Sequence, residues 1–159
     1  MLTADQIHAE VDRYRRHLVE LYDEVRRWVA NRYPTASFGH SGVDLSEEAT
    51  GVYQVQSLDV SLPGLPALRF VPRGIFMVGA HGRVDVRSRL GREVLVWLEP
   101  GGPAIRFSTR SGDEAERVIS RSLFPNISEG WAWSDYKRNE AKHLDEDVFW
   151  NRLLGPLTQ

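Results

Sequence analysis

Residues 68–99 read LRFVPRGIFMVGAHGRVDVRSRLGREVLVWLE, and this stretch decides the fold. Over residues 82–90, Val84, Val86 and Leu90 alternate with Arg83, Asp85, Arg87 and Arg89. A period of two gives a strand with one dry face and one charged face turned to water. Ile75, Phe76, Met77 and Val78 are apolar in succession, which predicts a strand over residues 75–79 covered on both sides. Residues 94–99 supply another apolar strand. Pro63-Gly64, Pro72-Arg73-Gly74 and Pro100-Gly101-Gly102-Pro103 read as turns between strands. Links this short join antiparallel neighbours. Residues 51–109 are therefore expected to form a twisted antiparallel meander of five to seven strands, with Ile105, Phe107 and Thr109 alternating in the last.

The flanks supply helices, which makes the class α+β. Ile7, Val11, Tyr14, Leu18, Leu21, Val25 and Trp28 recur at steps of four and three, the spacing of a heptad seam, and predict one long helix over residues 3–33. Thr3 and Gln6 have the form of a capping box, and Pro34 ends the helix. Such a rod is roughly 42 Å long, against about 17–25 Å for strands of five to eight residues. Either its ends bend or fray across the sheet, or the seam also meets a second copy or another protein. Residues 37–50, polar and glycine-bearing, read as a surface loop. In residues 52–62, Tyr53 and Val55 fall on odd positions but Leu58, Val60 and Leu62 on even ones, so a bulge near Gln56 and Ser57 is expected. Two further helices are expected over residues 111–124 and 145–154. The second opens at Asp145 with Leu144 and Phe149 as a hydrophobic staple, and stops at Gly155-Pro156. Between them Trp131 and Trp133 read as an edge strand covering the core.

At 159 residues the chain suits a single domain, residues 1–159. A net charge of −2 gives no general argument for nucleic acid or membranes. The absence of cysteine excludes disulfides, thiol nucleophiles and thiolate zinc sites. No apolar run approaches the ~20 residues of a membrane span, and residues 1–16 have no hydrophobic signal core, so a cytoplasmic protein is expected. Basic residues are 18 arginines against Lys137 and Lys142 alone. Codon bias accounts for such a ratio; so does a surface built for forked contact with carboxylates or phosphates. Clustering on one face separates the two.

The candidate binding residues are His81, Arg83, Asp85, Trp97, Glu99, Trp131, Trp133 and Tyr136, and all but Trp97 and Glu99 fall in two groups. His81-Gly82-Arg83 with Asp85 sits at a glycine-flanked link between strands, where backbone comes close to a ligand. Trp131, Trp133 and Tyr136 are residue types that anchor protein interfaces, and Lys137 and Arg138 add charge beside them. No catalytic set emerges: His8, His17, His40, His81 and His143 are dispersed, and Gly39-His40-Ser41-Gly42 lacks the spacing of a nucleophile elbow. No metal-ligand spacing and no phosphate loop occur, so neither a metal nor a cofactor is expected.

Gly82-Arg83-Val84-Asp85, followed by a turn and the apolar run ending in Glu99, resembles the core of restriction-endonuclease-like PD-(D/E)xK nucleases. In that family an Asp and a Glu hold a divalent metal and a Lys activates water. Asp85 matches the Asp, but Trp97 stands where the second acid is expected and Glu99 where the lysine is, and no lysine precedes Lys137. The resemblance implies a metal-dependent or degenerate nuclease-like domain acting on nucleic acid. A second resemblance spans residues 52–154, through Phe70-x-Pro72-x-Gly74, Gly79-Ala80-x-Gly82-Arg83-Val84-Asp85 and Phe149 with Leu153. These are similar to small bacterial α+β proteins of unknown function, associated with defence or toxin–immunity genes. It implies a noncatalytic protein-binding or accessory module, such as an inhibitor, an immunity protein or a defence-system subunit. The expected partner is a protein, self or other, met through the helix seam.

Overall fold

The computed structural model describes residues 1–77, 80–99, 104–105, 121–122, 128–135 and 137–159. Its elements are α1 (Ala4–Arg32), β1 (Ser37–Glu47), β2 (Gly51–Ser61), β3 (Leu68–Gly74), β4 (Arg83–Ser88), β5 (Gly91–Leu98), β6 (Ala104–Ile105), β7 (Arg121–Ser122), β8 (Gly130–Asp135) and β9 (Glu140–His143). They are followed by α2 (Glu146–Val148), a π-helical stretch (Phe149–Leu154) and α3 (Gly155–Thr158). Seven strands form one antiparallel sheet in the order β1-β2-β3-β4-β5-β8-β9, and β6 pairs with β7 apart from it. This is the expected α+β meander under a long helix. Among the described residues no helix is long and apolar enough to cross a membrane.

Helix α1 begins as its sequence dictates. The Thr3 hydroxyl accepts from the Gln6 backbone N–H, and the Gln6 side chain accepts from Thr3 N–H, so two otherwise orphaned donors are satisfied. The seam from Val11 to Trp28 enters the core, with Tyr14, Leu21 and Val25 at most 1 % exposed, and only Ile7 is partly outside it. The seam is thus occupied by the chain's own sheet.

Several expectations are corrected. Residues 37–50 are not a surface loop: β1 pairs one-for-one with β2 from Ser37↔Ser61 to Glu47↔Gly51. That hairpin of eleven-residue strands extends roughly 36 Å, and so matches the length of α1. The same unbroken register excludes the bulge near Gln56 and Ser57 in this pairing. Ser57 and Leu58 are instead both fully buried, and β2 changes the face it turns to the core at that point. A bulge does exist, but in β3, where the register to β4 shifts between Pro72 and Gly74. Pro72-Arg73-Gly74 therefore lies within a strand and makes no turn.

Residues 75–77 form no strand. Ile75 is buried but Phe76 is 40 % exposed, and the Ile75 and Phe76 N–H groups donate to the Glu47 carboxylate at 2.9–3.1 Å. A side chain takes the donors that a neighbouring strand would have used; Val78 and Gly79 lie outside the described residues. Arg89 and Leu90 form the two-residue link of the β4–β5 hairpin and leave the strand face.

Trp131 and Trp133 are not on an edge strand, because β9 pairs outside β8. The expected helix over residues 111–124 lies mostly outside the described residues, and Arg121–Ser122 is strand. The turn at residues 100–103, and Phe107 and Thr109 of the sixth strand, also lie outside them. Asp145 caps the last helical segment, its side chain accepting from Val148 N–H at 2.8 Å. Gly155-Pro156 does not stop it, however: the chain passes through the π-helical stretch into α3, with proline in the first turn where no N–H is required.

Polar side chains fasten α1 to the sheet. Beyond its short pairing with β3, β2 leaves carbonyls unpaired; Arg15 donates to Gln54 O, and Tyr22 to Gln56 O at 2.7 Å. These contacts close an edge otherwise open to another strand. Tyr14 donates to Arg83 O at 2.6 Å from the interior, and Gly74 N–H reaches its oxygen at 3.4 Å. Tyr14→Phe should lower stability by about 1–3 kcal/mol, because buried partners lose their bond without a water to replace it. Urea unfolding checks this, and an unchanged midpoint contradicts it.

Candidate functional site: an arginine face around Asp85

Alternation along β4 sends Val84 and Val86 into the core beneath α1, and Arg83, Asp85 and Arg87 to the opposite, outer face. The cross-strand register extends that face into three rows. The first is Asp59, Arg69, Arg87 and Arg92; the second Val71, Asp85 and Val94; the third Arg83, beside the β3 bulge at Arg73, and Val96. Rows lie about 7 Å apart along the strands, and neighbours within a row about 5 Å apart. The two arginine-bearing rows are thus separated by about 13 Å.

Asp85 is at the centre with 0 % exposure. Arg83 Nε donates to its Oδ1 at 2.8 Å, while Arg73, Arg87 and Arg92 approach Oδ2 at 3.7–3.8 Å. Only the first is a hydrogen bond, and Oδ2 has none. A buried carboxylate is strongly unfavourable without cations, and here four guanidinium groups supply them. Arg73 lies at the β3 bulge, on the face that also carries Arg69 and Val71. The arginines themselves remain accessible, with side-chain exposures of 26 % for Arg83 and 46–56 % for Arg73, Arg87 and Arg92. Arg69 completes the patch through Asp59 at 3.3 Å. Among the described residues, five arginines against two aspartates make this face cationic in a chain whose net charge is −2.

Sequence reasoning brought Arg83 and Asp85 together correctly, but as a pair. Arg87 was read on the same charged face of the strand but not assigned to the site, and Arg69, Arg73 and Arg92 were missing because they join it only through register. Their one sequence signal is the arginine excess, of which five of the 18 arginines gather on this face and six lie on α1.

The other candidates lie elsewhere. His81 bonds through Nε2 to Glu10 of α1 and meets Phe76 edge-on. Glu99 accepts from Arg13 of α1 at 2.9 Å, and Glu129 accepts from the same guanidinium. Asp85 and Glu99 thus lie on opposite faces of the sheet. Among the described residues no three His, Asp or Glu side chains gather as a metal site. Trp131 and Trp133 are buried, their indole N–H groups donating to His17 O and to Glu93 at 2.8 Å. Tyr136 lies outside the described residues. Comparison with protein-family models, with curated proteins and with solved structures gives no match for this chain.

Trp97, also buried, is covered by His17, whose ring lies 3.5 Å away and within 10° of parallel. Loss of solvation, reinforced by Arg13, lowers the His17 pKa to about 4. Because the unfolded value is about 6.5, the unfolded chain takes up a proton that the folded chain refuses as pH falls through that interval. Stability contributed above about pH 6.5 should therefore be lost toward pH 4. His17→Gln should show a smaller fall in urea midpoint between about pH 7 and about pH 4.5 than the parent. Equal falls in the two proteins contradict this reading.

Proposed function

We propose that the chain is a noncatalytic, cytoplasmic protein-binding module. It serves as an accessory subunit, inhibitor or immunity protein of the bacterial defence type, and meets its partner on the arginine face. One observation carries the reading: Arg69, Arg87 and Arg92 stand directly beside one another across three strands. Like charges in directly opposed positions destabilise a sheet. Asp59 and Asp85 offset only part of that repulsion. An arrangement that costs stability on a solvent-facing surface is explained by a ligand of opposite charge.

The separation of the acids supports the same reading. A metal-dependent nuclease would need Asp85 and another acid around one ion. Asp85 instead neutralises arginines, and Glu99 binds Arg13 across the sheet. The helix seam is buried against the sheet, and on the outer face Val96, Leu98 and Ala132 are buried too, whereas Arg69, Arg87 and Arg92 stay accessible.

In extract of the cells it comes from, the tagged chain should retain a partner protein in stoichiometric amount. Arg87→Glu combined with Arg92→Glu should release it, while Arg16→Ala, an exposed helix position away from this face, should keep it. Retention of no protein, or retention indifferent to the two charge reversals, contradicts the proposal.

A further inference from the structure

Resting on that reading, we infer that the arginine face takes an acidic protein segment in extended conformation, with the pattern acid-x-aliphatic-x-acid. The spacing is geometric. Arg69 and Arg87 in the first row are each four residues from Arg73 and Arg83 at the other end of the patch. Four residues of extended chain cover about 13 Å in the segment as well as in the sheet. Two acids at positions i and i+4 of a bound strand therefore reach both rows at once, each meeting a guanidinium fork suited to a carboxylate. Residue i+2 falls over the middle row, where Val71 and Val94 are partly exposed on either side of Asp85. An aliphatic side chain suits that strip, whereas a third acid would sit over the Asp85 carboxylate.

Asp85 also explains why the forks are ready. A flexible arginine loses rotamer freedom on binding, and a carboxylate that already draws four of them together reduces that loss. Single-stranded nucleic acid fits less well. Its binding sites combine a basic groove with aromatic rings on which bases stack, and the described residues of the three rows include no aromatic side chain.

The test is fluorescence anisotropy on the full chain with four probes. These are a labelled peptide with a single Glu-Thr-Val-Thr-Glu unit, a labelled peptide of the same composition with its two glutamates adjacent, a labelled oligo-dT strand, and tripolyphosphate as a competitor of the labelled spaced peptide. The spaced peptide should bind most tightly, more weakly as salt rises, and about tenfold more weakly to Arg87→Glu than to the parent. Arg92→Ala, at the most exposed of the four positions around Asp85, should show a smaller loss in the same direction and provides the measurement if the charge reversal does not fold. Equal binding of the two peptides overturns the spacing. Tighter binding of oligo-dT or tripolyphosphate overturns the acidic segment in favour of a phosphate-bearing ligand. No binding of the spaced peptide overturns the inference outright. In each case, Arg87- and Arg92-dependent retention of a partner from extract would leave the binding-module reading standing, whereas its loss would remove both.

Discussion

A carboxylate with no exposed surface has to be neutralised, and the outer face of this protein is organised around that requirement at Asp85. Attraction draws in Arg83 along the same strand, Arg73 from the bulge in β3, and Arg87 and Arg92 from the hairpin that follows. The cost of burying one anion is offset by four cations whose outer edges remain in water, so a single residue shapes a surface of opposite sign. Arg73 keeps the alternation of Arg69 and Val71, and the register shift between Pro72 and Gly74 sets Gly74 opposite Arg83 and leaves Arg73 as the unpaired residue of the bulge.

The face is supported from behind by α1. Tyr14, buried among core side chains, donates to the carbonyl of Arg83, so the strand that displays Arg83 and Asp85 is fixed at its start by the helix. Gly82 makes this approach possible. Its φ is +142°, in a region L side chains rarely adopt, and a Cβ there would come within 3.3 Å of both the Tyr14 ring and Trp97. Arg15 and Tyr22 perform a related service on β2, taking carbonyls that no strand reaches. Apolar seam and polar fasteners lie on one helix and together hold it to this sheet.

How much of this was legible in the sequence depended on whether the signal was local. The capping box at Thr3, the heptad spacing and the alternation from Arg83 to Arg87 are local patterns, and each is found where it was read. Strand β1 was hidden because only one side of it is half-buried and its middle is Gly39-His40-Ser41-Gly42, a composition shared with loops. Residues 75–77 misled in the opposite direction. Their run of apolar side chains looks like a covered strand, yet their N–H groups belong to Glu47, a residue 28 positions away or more, and no periodicity conveys that. The candidate site shows the same division. Arg83 with Asp85 is an i,i+2 relation and was visible; Arg69, Arg73 and Arg92 join it through pairing between strands, which the order of residues alone does not specify.

Asp85 holds the arginines of the outer face in place, and NMR of the arginine side chains reads this directly. In the 1H–15N spectrum of the parent, the Nε–Hε group of Arg83 should be rigid, with an order parameter near that of ordered backbone, ~0.85. Asp85→Ala should release it to the mobility of a free surface arginine while the β4 backbone signals stay in place. An Arg83 side chain that is already mobile in the parent, or one that remains rigid after the carboxylate is removed, would contradict the claim.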